Sequence, residues 1–153
     1  MTYSDSIDIE ASPELVFATI ADLPAMGRLS PENTGGEWMG GANGPAIGAK
    51  FKGTNRRDGD KWSTISRVTR YEPPSSFVFE VTFGPFRVAR WSYEIQTTPH
   101  GCRVVESWKD QRNWLVRRPD KKKGFDRAQF NKESIRTTLE RLKTTCETPR
   151  SVG

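Results

Sequence analysis

Histidine occurs once in these 153 residues and cysteine twice, aliphatic side chains are few, and no purely apolar stretch exceeds four residues. Each scarcity excludes something. Cys102 and Cys146 cannot build a disulfide framework, and with His100 as the sole imidazole a zinc site would need several carboxylates. Both cysteines read as reduced thiols, with Cys146 on a helix face. The longest apolar run, Leu15 to Ala18, is far short of the roughly 20 residues that cross a bilayer. The opening Met-Thr-Tyr-Ser-Asp-Ser has no basic region and no apolar core of a signal peptide, so a cytoplasmic protein is expected. The length fits one domain over 1–153. No metal and no cofactor are expected. The glycine-rich segment 40–48 contains neither GxxxxGK[ST] nor GxGxxG and reads as a turn-rich connection. His100, in the turn from Thr98 to Gly101, offers no buried base to a serine or cysteine nucleophile.

Leu, Ile, Val and Phe supply 30 of the 153 residues, close to the roughly 20% floor below which chains stay disordered. Aromatic rings compensate. Five Trp, three Tyr and eight Phe are present, and each buried ring removes about 150–250 Å² from water.

The order of elements follows from periodicity. Ile7 and Ile9 alternate with Ser6, Asp8 and Glu10, which predicts a strand over about 3–10. Ser12-Pro13-Glu14 supplies a cap, a first-position proline and a first-turn acid, so a helix is expected over about 13–22, with a short turn at 25–29. A strand at 37–39 precedes the glycine-rich connection. Turn signals then divide 49–110 into five alternating strands, about 49–56, 61–71, 76–83, 87–97 and 102–110. Their opposite faces carry Lys50, Lys52, Arg67, Arg90, Glu94 and Arg103, which should be wet. From 125 to 147, Ala128, Ile135, Leu139, Leu142 and Cys146 form one apolar stripe on a long helix. Residues 148–153 read as a frayed tail. This is an α+β chain in which a curved seven-stranded antiparallel sheet wraps around the long C-terminal helix, with one or two short helices between strands 1 and 2. So few aliphatics cannot fill the concave side of such a sheet. A cavity follows, and cavities of this kind are the usual small-molecule sites.

The run from Ile9 to Phe17, Ala21-Asp22-Leu23, Leu29-Ser30-Pro31-Glu32, the stretch Gly44 to Asn55, Trp91-Ser92-Tyr93 and Glu106-Ser107-Trp108 together resemble the SRPBCC (START-like, helix-grip) superfamily. Within it they are most similar to the polyketide cyclase/dehydrase and lipid-transport group, over about 3–147. The resemblance implies a helix-grip fold with an internal cavity for hydrophobic or aromatic ligands, and the function expected is that of a carrier or sensor for a lipid, polyketide or isoprenoid-like molecule. It does not fix an activity, because carriers, cyclases and other proteins share the fold.

Glu106 is the candidate catalytic residue. If Val104 and Trp108 face inward then so does Glu106, and a carboxylate in an apolar cavity has a raised pKa suited to general acid or base work. The alternative is that Glu106 pairs with a neighbour and only fixes the sheet. Ligand-contact candidates are the inward-facing Phe51, Asn55, Trp62, Thr64, Ser66, Phe79, Trp91, Tyr93 and Trp108, with Asn131 and Ile135 from the helix. Internal hydrogen bonds or trapped water would account for the polar ones equally well, and simple core packing for the indoles.

Seven basic residues between Arg112 and Arg127, including Arg117, Arg118, Lys121, Lys122 and Lys123, face only Asp120 and Asp126, with Trp114, Leu115 and Val116 among them. Such a segment either docks on an anionic membrane or acidic partner, or is simply a solvated loop. Nucleic acid is not an expected partner. Lying before the long helix, the segment could also cover the cavity mouth, with Trp114 or Leu115 as plug.

Overall fold

The computed structural model describes residues 2–148, so the expected tail lies largely outside the described residues. Strand β1 (Thr2–Ile9) leads into helix α1 (Pro13–Ala21) and a 3-10 turn (Leu23–Arg28). Strands β2 (Asn33–Trp38), β3 (Lys50–Arg57), β4 (Asp60–Glu72), β5 (Ser76–Phe83), β6 (Phe86–Thr98) and β7 (Gly101–Asp110) follow. Helices α2 (Trp114–Lys122) and α3 (Arg127–Glu147) complete the order. The seven strands form one antiparallel sheet in the order β1-β7-β6-β5-β4-β3-β2. Sequential hairpins build all of it except the β1–β7 pair, and the sheet folds over α3 as the helix-grip arrangement requires.

Local chemistry sets the helix starts. Ser12 Oγ accepts the Leu15 backbone N–H at 3.2 Å and Pro13 opens α1. Asp126 accepts the N–H of Gln129 at 3.1 Å, which moves the start of α3 to Arg127, two residues later than the periodicity suggests.

Two elements differ from expectation. Strand β2 is six residues rather than three, because Gly35 (φ 110°) and Gly36 (φ 147°) carry no strand signal yet pair with Thr54 and Gly53. A Cβ on Gly36 would collide with the Lys52 carbonyl and the Phe51 ring, so only glycine lets β2 lie this close to β3. The basic segment expected as a loop is a helix, α2, despite an internal Pro119. Glu94, expected to be wet, is half-buried and accepts the Ser76 hydroxyl at 2.8 Å.

The two ends of the sheet are closed differently. Under α1, Ile9, Val16, Phe17, Ile20, Val104, Leu139 and Leu142 are buried together. Phe17 stands edge-on to Phe77 at 6.0 Å. Each such side chain contributes roughly 1.5–3 kcal/mol of burial. Glu147 fastens α3 over this end, accepting the Glu10 N–H at 2.8 Å and pairing with Lys143 at 2.6 Å. Under α2 the sheet and α3 stand apart.

Candidate functional site

The space under α2 is a cavity of about 460 Å³ between the concave sheet face and α3. Its existence follows from which side chains α3 presents. Ile135, Leu139 and Leu142 are fully buried in the core, whereas Asn131, Ser134 and Thr138 recur one helical turn apart along the cavity. Three short polar side chains cannot reach the sheet, and the sheet opposite curves away. Phe51, Ser66, Phe79, Ala89, Trp91 and Trp108 form the wall, Leu23 and Met26 of the 3-10 turn form one end, and Val116 and Pro119 of α2 stand at the mouth.

Along β7, Cys102, Val104, Glu106 and Trp108 are all buried, so strand alternation drives a carboxylate inward. Glu106 is 2% exposed. Its register partner Tyr93 donates its hydroxyl to Glu106 Oε2 at 2.9 Å, while Oε1 is buried with no hydrogen-bond partner. Burial pushes the Glu106 pKa up to about 8; the Tyr93 bond works against this and the charge of Asp5 adds to it. Burial, and then the neighbouring Glu106, likewise hold the Tyr93 hydroxyl well above its ordinary value. A pKa near 8 leaves Glu106 mostly protonated at neutral pH, with a carboxyl oxygen that no described residue satisfies.

The remaining polar candidates are partly satisfied from within. Asn55 donates to Thr64 Oγ1 at 3.2 Å and accepts a long contact from Asn33 at 3.5 Å. Asn33 in turn holds the Gly35 N–H at 2.8 Å. Asn55, Trp62, Thr64, Ser66 and Asn131 all border the cavity, as do Phe51, Phe79, Trp91, Tyr93 and Trp108. Ile135 is the exception. It points into the packed core beside Leu139, because the cavity side of α3 is the polar stripe next to the apolar one.

A ring of charge surrounds the mouth. Arg112 donates to Asp110 at 3.0 Å and to Asp120 at 2.8 Å; Arg127 donates to both oxygens of Glu32 at 2.9 Å; Lys123 reaches Asp60 at 3.4 Å. Burial raises the Asp110 pKa, but the Arg112 hydrogen bonds and the charges of Arg112 and Arg117 outweigh it and leave the carboxylate below its usual range. The basic segment is thus far less unopposed than its own sequence suggests, since Asp110 stands just before it at the end of β7 and Glu32 and Asp60 come to it from distant parts of the chain. The side chains of Lys121 and Lys122 lie outside the described residues. Trp114, 73% exposed, and Leu115 are not plugs. Helical spacing turns Val116, Pro119, Asp120 and Lys123 toward the cavity instead.

Sequence reasoning missed Ser134, Thr138, Glu32, Arg57 and Arg112 as parts of the site. A polar 131/134/138 stripe at helical spacing was the available signal for the first two. The charged three depend on tertiary convergence and have none.

A search of curated proteins found no match. Solved structures do resemble the chain. The di-domain ARO/CYC BexL from the BE-7585A biosynthetic pathway superposes with a TM-score of 0.74 at 17% identity, over 97% of this chain and 50% of that one, so the chain spans half of that di-domain. The Polyketide_cyc-like protein Cgl2372 from Corynebacterium glutamicum is 25% identical with a TM-score of 0.58, covering 99% and 97%. Ginseng major latex-like protein 151 from Panax ginseng gives a TM-score of 0.72 at 12% identity, over 97% and 98%. A family model described as polyketide cyclase / dehydrase and lipid transport matches residues 1–147, and the chain belongs to that family.

Proposed function

We propose that the domain takes up a small hydrophobic or aromatic molecule, lipid, polyketide or isoprenoid-like, between its sheet and α3 and serves as its carrier or sensor. The hollow of about 460 Å³ left by Ser134 and Thr138 opposite an aromatic wall carries this reading, because an apolar cavity with a few fixed polar groups is how proteins hold such molecules. Reduced, buried Cys102 and Cys146 agree with a cytoplasmic setting. Native mass spectrometry of protein purified without detergent tests it. The expected spectrum holds a non-covalent adduct that Ser134→Phe, which fills the space, abolishes. Protein that carries no adduct and binds no hydrophobic fluorophore such as anilinonaphthalene sulfonate ends the reading.

A second reading, an enzyme of the aromatase/cyclase kind, is favoured by one observation: Glu106 borders the cavity and its buried Oε1 has no hydrogen-bond partner. BexL and StfQ, the latter from the steffimycin biosynthetic pathway, are di-domain ARO/CYC proteins. Glu106 would pass a proton to or from the ligand, helped by Tyr93 or Asn55. Turnover of a bound polyketide that survives Glu106→Gln unchanged rules this out.

A third, docking on an anionic membrane or acidic partner through Arg117, Arg118 and Lys121 to Lys123, draws on exposed Trp114 and Leu115 beside that charge. Its check is liposome binding that rises with anionic lipid.

A further inference from the structure

The charged side chains at the cavity mouth are not all hydrogen-bonded, and one is left over. Four cations border the cavity there, Arg57, Arg112, Arg127 and Lys123, beside the carboxylates Glu32, Asp60 and Asp120, with Asp110 behind Arg112. Arg112, Arg127 and Lys123 each donate to one of those carboxylates. Arg57 donates to nothing among the described residues. Its nearest carboxylate oxygen, on Glu32, is 3.9 Å away and already committed to Arg127. Its Nε is buried without a partner.

This guanidinium is not a solvated surface group. Its side chain is only 15% exposed, and its Cζ sits over the Phe125 ring, 3.4 Å from the centroid. Phe125 packs against Phe130 at 5.7 Å, so the stack is anchored on α3. A stacked guanidinium keeps its in-plane N–H fork free for a planar, two-oxygen acceptor. Leaving a buried donor such as its Nε unbonded is costly, and an arriving carboxylate would give the fork the hydrogen bonds it lacks.

We propose that Arg57 is a carboxylate-binding residue at the mouth and that the ligand is an amphipathic organic acid. Its apolar or aromatic body would fill the cavity and its single carboxylate would sit on the Arg57 fork. The inference rests on the cavity-binding reading above and narrows it to one chemical class. Glu106, at the inner wall, would meet a neutral oxygen on the same molecule, so the two ends of the cavity select different groups.

Matched pairs test it. Calorimetric titration at pH 7.5 would compare dodecanoate with 1-dodecanol and 2-naphthoate with 2-naphthalenemethanol. In at least one pair the acid should bind tenfold or more tightly than the alcohol, the scale of one charge-assisted contact, and Arg57→Gln should reduce that ratio to near one. A smaller ratio in the unaltered protein overturns the proposal without any variant, as does a ratio that survives Arg57→Gln. Dodecyl phosphate binding tenfold more tightly than dodecanoate would also overturn it, in favour of a phosphate site. Alcohols that bind as well as acids leave the cavity reading standing, whereas no binding in either pair removes both.

Discussion

The α1 end and the α2 end of this molecule are built from the same sheet and the same helix, yet one is packed and the other is hollow. Beneath α1, α3 presents Leu139 and Leu142 to Val16, Phe17 and Ile20. Toward α2, the same helix presents Asn131, Ser134 and Thr138 to Trp91, Phe79 and Glu106 across open space. Hollowness here is a matter of side-chain length along one helix, while the backbone arrangement is shared. The packed end supplies the stability that lets the other end forgo it.

Three measurements would break or sharpen that contrast. The largest effect concerns Glu106. Unfolded, this carboxyl ionises near 4.5; folded, it keeps its proton to about 8. Folding therefore binds a proton between those limits, and the stability this group contributes falls as pH rises from about 4.5 to about 8, by at most roughly 1.4 kcal/mol per pH unit. Urea titrations across that window should show the slope in the natural protein and its loss in Glu106→Gln. Parallel curves would mean the acid is ionised in the cavity. Tyr93→Phe should move the upper limit higher, since the tyrosine bond is the influence holding it down.

Next comes the contrast itself. Leu139→Ala at the packed end should cost roughly 2–5 kcal/mol, while Ser134→Ala, earlier on the same helix beside the cavity, should cost less than about 1 kcal/mol. Equal losses would show that the hollow end carries as much of the fold as the packed end. The smallest effect belongs to the mouth. Lys123 and Asp60 are both well exposed, so Lys123→Ala should change stability by no more than about 0.5 kcal/mol. Asp120→Asn should cost about 1 kcal/mol and speed amide exchange in α2, because it weakens the hold on Arg112 and Arg127.

Much of the scaffold was legible because its strands alternate and its turns are marked by Gly, Pro and Asp. Every strand from β3 to β7 could be bounded within a residue or so, and the inward direction of Glu106 followed from Val104 and Trp108 beside it. What escaped was of two kinds. Glycine concealed half of β2, since Gly35 and Gly36 serve close approach and have no side chain to betray a face. Ile135 was placed with the ligand contacts because an apolar stripe marks the buried side of a helix without saying whether a core or a hollow lies opposite. The mouth was the least legible part. Glu32 and Asp60 are far from the basic segment in sequence, and only the closed sheet brings their charges to it.

The β1–β7 pairing has a bearing on how the chain assembles. Thr2 lies opposite Lys109, so the first strand waits for the seventh before it gains its one sheet neighbour among the described residues, and α3 follows all seven strands. During synthesis the growing hairpins leave a row of indole and phenyl rings bare to the ribosome's surroundings, with α3 not yet made to shelter them. Such long-range closure makes for slow folding, and this small domain gains its lasting shape only after α3 has emerged.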